Sequence, residues 1–409
     1  MKNHSSGPAI LTINAGSSSI KFSVFLLPDL NQIIVGQFDG IGGDVKFKLK
    51  WQSQNIDENL SFSSDEEGPK NHQEAIDFLI YWIHQYAMDI EIVAVGHRVV
   101  HGGQTYSEPV LITNQVLEEL DDLRALAPLH QPHNIAGIKA MQKSFSGVPQ
   151  IACFDTAFHR THSFVEDCYA IPRYFYEQGV CRYGFHGLSY EYIANELAKK
   201  FPKESQKKVI IAHLGNGASM TALYKGISVA STMGFSSLDG LPMGTRCGEI
   251  DPGVLLYMMQ HEGLDAKKIS EILYKESGLK GLSGGISNDM RTLEASDQVE
   301  AKEAIDYYVR EIKREIGALT ALMAGLDVFV FTGGIGENSS LIRERVLSNM
   351  QWLGIRLDED SNLDGELILS SDESRVLCLK IPTNEEIVIA QHTLDLSKES
   401  MDLNLCASR

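Results

Sequence analysis

Ile13-Asn14-Ala15-Gly16-Ser17-Ser18-Ser19 near the start of the chain and Leu214-Gly215-Asn216-Gly217-Ala218-Ser219 at its middle share one pattern. Each closes a short apolar run, Ile10 to Asn14 in the first case and Val209 to Leu214 in the second. Each then leads into another run, Lys21 to Leu27 and a stretch through Leu223. Strand, small-residue turn, strand, met twice in 409 residues, reads as a duplicated domain with one turn of this kind in each copy. A third glycine-rich stretch, Thr332-Gly333-Gly334-Ile335-Gly336-Glu337-Asn338, follows the buried run Asp327 to Phe331 and reads as a loop. Small residues let backbone amides come close to a phosphate and form an anion nest. None of the three is G-x-x-x-x-G-K-[ST], so a P-loop is excluded. Singly, such turns are commonly just turns. Three of them after strands across two halves point to a nucleotide site.

Outward from these turns the periodicity alternates. Helical spacing runs over His72 to Tyr86, Val116 to Leu126, Ser189 to Phe201, Ala301 to Ala324, Ser339 to Met350 and Glu386 to about Leu396. Between them Ile90 to Gly96, Gln150 to Phe154 and Val376 to Ile381 read as buried strands, and Val45 to Gln54 as an alternating exposed one. Pro128 and Pro132 bracket a rigid turn carrying His130. Strands alternating with helices in both halves make the chain α/β, and its length calls for two domains.

Composition narrows the function. Hydrophobic residues are 43% and charged residues 22%, ordinary for a globular protein. A net charge of −18 argues against nucleic acid and against an anionic membrane surface. No run reaches the ~18 apolar residues of a membrane span, and Met1 to Pro8 holds no apolar signal region. The six cysteines are scattered without a C-x-x-C pair, so free thiols in the cytoplasm are expected. Any anionic ligand must be met by locally placed cations and amides.

Arg98 follows a buried strand in His97-Arg98-Val99-Val100-His101-Gly102-Gly103, and Arg246 sits in Met243-Gly244-Thr245-Arg246-Cys247-Gly248. A planar guanidinium fork suits carboxylate or phosphoryl oxygens, although most arginines end in structural salt bridges. Asp155 and Glu385 stand at strand ends beside polar turns, where they could serve Mg²⁺, while Asp155 and Asn384 are also acceptable helix N-caps. His97, His101, His130, His133, His186 and His213 fall near these loops without a zinc spacing. Donors to anionic oxygens are the preferred role for one or two of them.

Ten segments in order resemble the acetate kinase family: 13–25, 95–103, 127–135, 154–159, 183–189, 213–219, 232–253, 283–291, 331–339 and 381–386. The resemblance implies two ribonuclease H-like domains of the actin, hexokinase and Hsp70 type, with the active site in a cleft between them. The first would take 1–155 with 388–409. The second, 156–387, would bind nucleotide and form a homodimer. The implied reaction is reversible phosphoryl transfer between ATP and acetate, giving ADP and acetyl phosphate by direct in-line attack, with Mg²⁺ or Mn²⁺.

Carried onto this chain, the resemblance makes Asn14 and Glu385 metal-positioning residues. It makes Arg98, Asp155, Arg246 and His186 catalytic. Val100, Leu129 and Phe185 line the acid's alkyl pocket beside Arg98. Asn216, His213 and His130 join Arg246 and His186 around the phosphoryl group. Lys21, His213, Leu214, Gly215, Asn216, Gly217, Asp289, Met290, Arg291, Gly334, Ile335, Gly336 and Asn338 serve ATP. Three departures stand out: Ser237 where the family usually has proline, Gly333 where alanine is common, and Leu188-Ser189-Tyr190 in place of threonine, serine and histidine. Ser237 keeps propionate open as a substrate, because one methylene is worth only about 1–3 kcal/mol in a hydrophobic pocket. A non-catalytic actin-like ATP-binding scaffold is the alternative from another class. Such a scaffold has no use for the acyl-side arginines.

Overall fold

The computed structural model describes residues 6–16, 19–51, 56–62, 68–127 and 130–407. Ser17, Ser18, Pro128 and Leu129 lie outside them. The chain divides into two compact units, Met1–Ala157 with Asn384–Arg409, and Phe158–Thr383.

In the first unit the strands are β1 (Gly7–Ala15), β2 (Ser19–Leu26), β3 (Asn31–Asp39), β4 (Val45–Trp51), β5 (Ile56–Phe62), β6 (Ile90–Val99), β7 (Val110–Leu111) and β8 (Gln150–Phe154). They form one sheet in the order β5-β4-β3-β2-β1-β6-β8-β7. β1 pairs antiparallel with β2 and parallel with β6, and β6 pairs parallel with β8. The alternation of β4 is strict: Val45, Phe47, Leu49 and Trp51 are buried while Lys46, Lys48 and Lys50 are exposed. Phe47 packs with Phe22 and Phe38 of the neighbouring strands and with Phe78 of the helix His72–Tyr86. That helix starts where expected, with Asn71 accepting from the Glu74 amide.

The second unit holds β9 (Lys208–Leu214), β10 (Ala218–Tyr224), β11 (Ile227–Ser231), β12 (Val328–Thr332) and β13 (Leu377–Lys380). Their order is β11-β10-β9-β12-β13. β10 pairs antiparallel with β9 and β11, and β12 pairs parallel with β9 and β13. Strand for strand and direction for direction this repeats β3-β2-β1-β6-β8. The weak sequence repeat is therefore a repeat of topology, the ribonuclease H-like order in each unit. All five residues of β12 are buried, as befits a central strand covered on both faces.

Several sequence expectations are corrected. β6 does not stop at Gly96 but runs through His97 and Arg98 to Val99. The rigid turn around Pro132 opens a helix, Gln131–Ser144, because proline is tolerated in a first turn. The glycine-rich stretch after β12 is a helical turn, Gly333–Asn338, not an open loop. Gly333 enters it at φ +78°, and a Cβ there would lie 2.8 Å from the Leu214 carbonyl oxygen. Glycine at 333 thus lets the turn sit against the end of β9. The last helix is longer than its apolar spacing suggested, Glu385–Ala407. Asn384 caps it by accepting from the Ile387 amide at 3.1 Å, while the Asp155 carboxylate accepts from Arg98.

Candidate active site

The carboxyl ends of parallel strands gather the polar residues in each unit, the usual place for ligands in open α/β sheets. In the first unit Asn14 ends β1, Arg98 lies near the end of β6, and Asp155 follows β8. Glu385 enters beside them on the last helix. Arg98 donates from Nε to Asp155 Oδ1 at 2.9 Å and from Nη2 to Asp155 Oδ2 at 2.5 Å. Nη1 donates to Asn14 Oδ1 at 3.0 Å, and Glu385 lies 3.8 Å from Nε. Asp155 is only 1% exposed, so its charge is held by that bidentate pair. Burial opposes the Arg98 charge, but Asp155 and Glu385 outweigh it and hold the guanidinium above its ordinary range. Burial pushes the Glu385 carboxyl up, with the Arg98 charge opposing. The charge of Lys21 acts on Glu385 in the same sense as Arg98.

The surrounding polar groups brace this cluster. His97 meets Gln150 Oε1 at 2.5 Å, and burial lowers its pKa to about 4. Asn134 accepts from the Val100 amide at 3.0 Å and donates to the Ala15 carbonyl at 2.8 Å, tying β6 to the first turn. Val100 is buried, and His130 precedes the helix Gln131–Ser144. Leu129 lies outside the described residues.

In the second unit a cavity of about 720 Å³ opens at the corresponding strand ends. Gly215, Asn216, Asp289, Met290, Arg291, Gly334, Ile335 and Asn338, which the resemblance assigns to ATP, are brought together in its lining. Asn288, Glu294 and Ser339 line it too and were not foreseen. The size suits a nucleotide, since small-molecule sites run to roughly 300–1,000 Å³. Asp289 caps the helix Met290–Glu294 and also holds Arg291, Nη2 to Oδ2 at 2.5 Å. Arg343 stands behind the cavity, 2% exposed, donating to the carbonyls of Gly336 and Glu337 at 3.1 and 3.0 Å. It also reaches Asn362, from Nε to Oδ1 and from Nη2 to the carbonyl, both at 2.8 Å. Gly336 therefore shapes the turn without lining the cavity. Glu337 Oε1 fastens the same turn by accepting from the amides of Gly333 and Thr383 at 2.9 and 3.0 Å.

Beside the 215–217 turn, the rings of His186 and His213 stack, with centroids 4.3 Å apart. Ser219 Oγ lies 2.8 Å from His186 Nδ1, and Ser189 Oγ 2.8 Å from His213 Nδ1. Phe185 is buried before them, and its carbonyl accepts from His159 Nε2 at 3.0 Å. Arg246 donates from Nη1 to the Ser237 carbonyl at 3.3 Å. So Ser237, the departure noted in the sequence, touches the arginine through its backbone. Lys21 belongs to the first unit and is exposed on β2. Leu214 precedes the turn and Gly217 closes it, and neither lines the cavity.

Among the described residues no group of three or more His, Cys, Asp or Glu side chains could hold a metal ion. An all-protein cage is therefore not built here. Mg²⁺ usually binds through one or two protein oxygens with waters and substrate phosphates, and Asn14 with Glu385 supplies that number. The raised Glu385 carboxyl is a buried acid that a cation would settle. The residues fit.

The family model of the acetokinase family matches residues 9–391. An acetate kinase of Methylocella silvestris is 50% identical over 395 residues, covering 95% of this chain and 97% of that protein. A solved propionate kinase of Francisella tularensis is 36% identical with a TM-score of 0.88, and the match covers 95% of this chain and all of that one. A solved acetate kinase of Porphyromonas gingivalis, 35% identical with the same coverage, gives 0.85. With a braced guanidinium in one unit, a nucleotide-sized cavity in the other and these relatives along its length, the chain belongs to the acetokinase family and is a kinase that transfers phosphate from ATP to a carboxylate.

Proposed function

We propose that the carboxylate is acetate, phosphorylated by MgATP in a direct, reversible, in-line transfer. The observation that carries this reading is Arg98, fixed at three donors by Asp155 and Asn14. A carboxylate acceptor is already an anion and a nucleophile, so it needs no general base. It needs a cation of fixed orientation, and Asp155 supplies the orientation. Arg98 binds the carboxylate, with Val100, Leu129 and Phe185 around the alkyl end. Arg246 and the histidines 186, 213 and 130 donate to the phosphoryl oxygens as charge spreads over them. The 215–217 turn with Leu214 and Lys21 takes the ATP phosphates. Asp289, Met290, Arg291, Gly334, Ile335 and Asn338 take the adenosine, with Gly336 shaping their turn. Asn14 and Glu385 would hold Mg²⁺, which when bound neutralises phosphate charge.

The helix Pro252–Gln260 has no buried residue and exposes Leu256 and Tyr257 at 54% each. That apolar face supports a homodimer, because monomers rarely leave such patches bare. Light scattering should give twice the chain mass, and Leu256→Glu should halve it. No helix of the described residues is long and apolar enough to cross a membrane, and a cytoplasmic site is proposed with the free thiols Cys168, Cys247 and Cys378.

The test is acyl hydroxamate formation from MgATP and acetate, propionate or butyrate. Acetate should rank first, with the signal lost in Arg98→Ala and Arg246→Ala. Propionate ranking above acetate would move the substrate. No product with any acid, despite ATP binding, would favour the scaffold. A chemically competent phosphoprotein would replace direct transfer with a two-step route.

A further inference from the structure

His186 occupies an unusual place. Its backbone is left-handed, φ 59° and ψ 25°, immediately before the helix Gly187–Lys200. Bulky side chains avoid that region unless their surroundings hold them in it. Its ring lies on His213, and its Nε2 edge faces the phosphate turn: a Cβ added to Gly217 would stand 3.2 Å from Nε2. On the other edge Nδ1 meets Ser219 Oγ at 2.8 Å. Ser219 Oγ is in turn bonded to the hydroxyl of Tyr190, one turn into the same helix. Ser219 and Tyr190 are fully buried.

Counting protons along this chain leaves one order. If Tyr190 donates to Ser219, then Ser219 donates its own proton to His186 Nδ1. Nδ1 must then be bare, and the ring proton sits on Nε2. In the reverse order Nδ1–H donates to Ser219 and Ser219 to the phenol oxygen. The Tyr190 proton is then left in a buried place, where Ser219 Oγ is the hydrogen-bond partner the described residues give its hydroxyl. If Ser219 instead accepts from both Tyr190 and Nδ1–H, its own proton is left over at a fully buried oxygen whose partners among the described residues are these two groups. Buried polar hydrogens are almost always satisfied, so the first order holds. Burial also pushes the Tyr190 phenol far above its ordinary range, which keeps its proton in place to be donated. The preceding residue repeats the device: Ser189 Oγ meets His213 Nδ1 at 2.8 Å and Thr383 Oγ1 at 2.8 Å.

We propose that Tyr190 is a positioning residue for phosphoryl transfer, holding His186 through Ser219 as the Nε2–H tautomer with its donor edge toward the 215–217 turn. The inference rests on the kinase reading and adds the residue that sets which nitrogen gives the hydrogen bond. It also gives a consequence to the tyrosine found where the family commonly has histidine. An imidazole at 190 carries its proton on either nitrogen, whereas a phenol has one proton and one direction.

The test uses the full-length protein labelled with ¹⁵N-histidine. The His186 signals are assigned by their loss in His186→Gln. In the unsubstituted protein His186 should show a pyridine-type Nδ1 and a pyrrole-type Nε2. Tyr190→Phe, which keeps the ring, should mix or reverse that pattern. It should also lower kcat roughly tenfold with KM for ATP and acetate little changed, less than the about 10²–10³ lost when such a donor is removed outright. Ser219→Ala should shift the tautomer in the same way, and Tyr190→His should restore part of kcat. A pyrrole-type Nδ1 in the unsubstituted protein overturns the proposal. So does a Tyr190→Phe protein with both shifts unchanged, whether kcat falls or not, since a fall alone would mean packing only. If the unsubstituted protein phosphorylates no acid, the reaction assigned above fails, while the ¹⁵N pattern still decides the tautomer.

Discussion

Replacing Arg343 by leucine removes a buried cation that, among the described residues, is held by four oxygen acceptors from Gly336, Glu337 and Asn362, with no carboxylate. Each hydrogen bond to a charged group contributes about 1.5–3 kcal/mol, and leaving a buried acceptor unmet costs about 1–3 kcal/mol. The four bonds do not add, because they share one side chain and because leucine is spared the guanidinium's desolvation. That desolvation is real, since burial lowers the Arg343 pKa from its ordinary value. The balance is about 3–5 kcal/mol, the range found when one side of a buried charged network is removed. For a unit of this size each kcal/mol moves Tm by about 2–4 °C, so a fall of roughly 6–20 °C is expected. Differential scanning calorimetry on the full chain should place that fall in the transition that ADP raises. ADP binding measured by isothermal titration should weaken as well, because the Gly336 and Glu337 carbonyls close the turn that frames the cavity. Arg343→Lys should recover little, since an ammonium cannot span both Asn362 and the turn. A drop below about 3 °C, or a gain in stability, would refute this balance and show that desolvation cancels the four bonds.

Acid should unfold the protein through its buried histidines. The pKa of His97 is lowered to about 4 and that of His159 to about 3, both chiefly by burial. The folded state therefore binds fewer protons than the unfolded chain, and stability present above pH 6.5 is lost as pH falls. At 1.36 kcal/mol per unit, with the unfolded side chain already half protonated at pH 6.5, each costs about 2 kcal/mol between pH 6.5 and 4.5, which urea titrations at the two pH values should read. Gly278→Ala should cost more than about 3 kcal/mol and sharply reduce kinase activity, because alanine disfavours φ +61° and its Cβ would lie 2.1 Å from the Met243 carbonyl in the Arg246 loop. A near-normal hydroxamate assay would show that this loop yields easily. Arg98→Lys should keep the fold while lowering kcat on the order of 10²–10³, since a lysine cannot bond both Asp155 oxygens and Asn14. Activity within tenfold would reduce Arg98 to a point charge.

The parts legible in the sequence were those with a strong local signature. Gln150–Phe154 and His72–Tyr86 were found to the residue, because an apolar run with a polar end and a regular stripe need no tertiary information. Arg98, Asp155 and Glu385 were visible as polar residues at the ends of apolar runs. The helix Gln131–Ser144 was hidden by Pro132 and His133 at its start, which read as part of a turn until the chain is seen to continue beyond them. Gly333–Asn338 was hidden by glycine, whose low helix propensity is overridden once Glu337 and Arg343 fasten both ends. Ser189, Tyr190, Ser219 and Asn134 fall in motifs or departures noted in the sequence, but nothing there showed which groups they would bond. A hydroxyl or amide becomes part of a site only when the fold brings an imidazole or a strand end within 3 Å, and no spacing rule encodes that.

The first unit is closed by a helix that arrives after the whole second unit. The chain leaves at Ala157, returns at Asn384, and then packs Ile387, Ala390 and Leu394 with Ile10, Phe25 and Ala94. Gly96 is shaped for that return, since any Cβ there would collide with Thr393 and Ile389. During synthesis, then, the segment that emerges earliest waits longest for its last piece. Its β-sheet must hold an open apolar face while more than half the chain is still being made, and its contacts span almost the full sequence length, which slows folding. The second unit closes on residues of its own continuous stretch. A released chain truncated after Thr383 should therefore carry a protease-resistant second unit beside a first unit that is still readily cut.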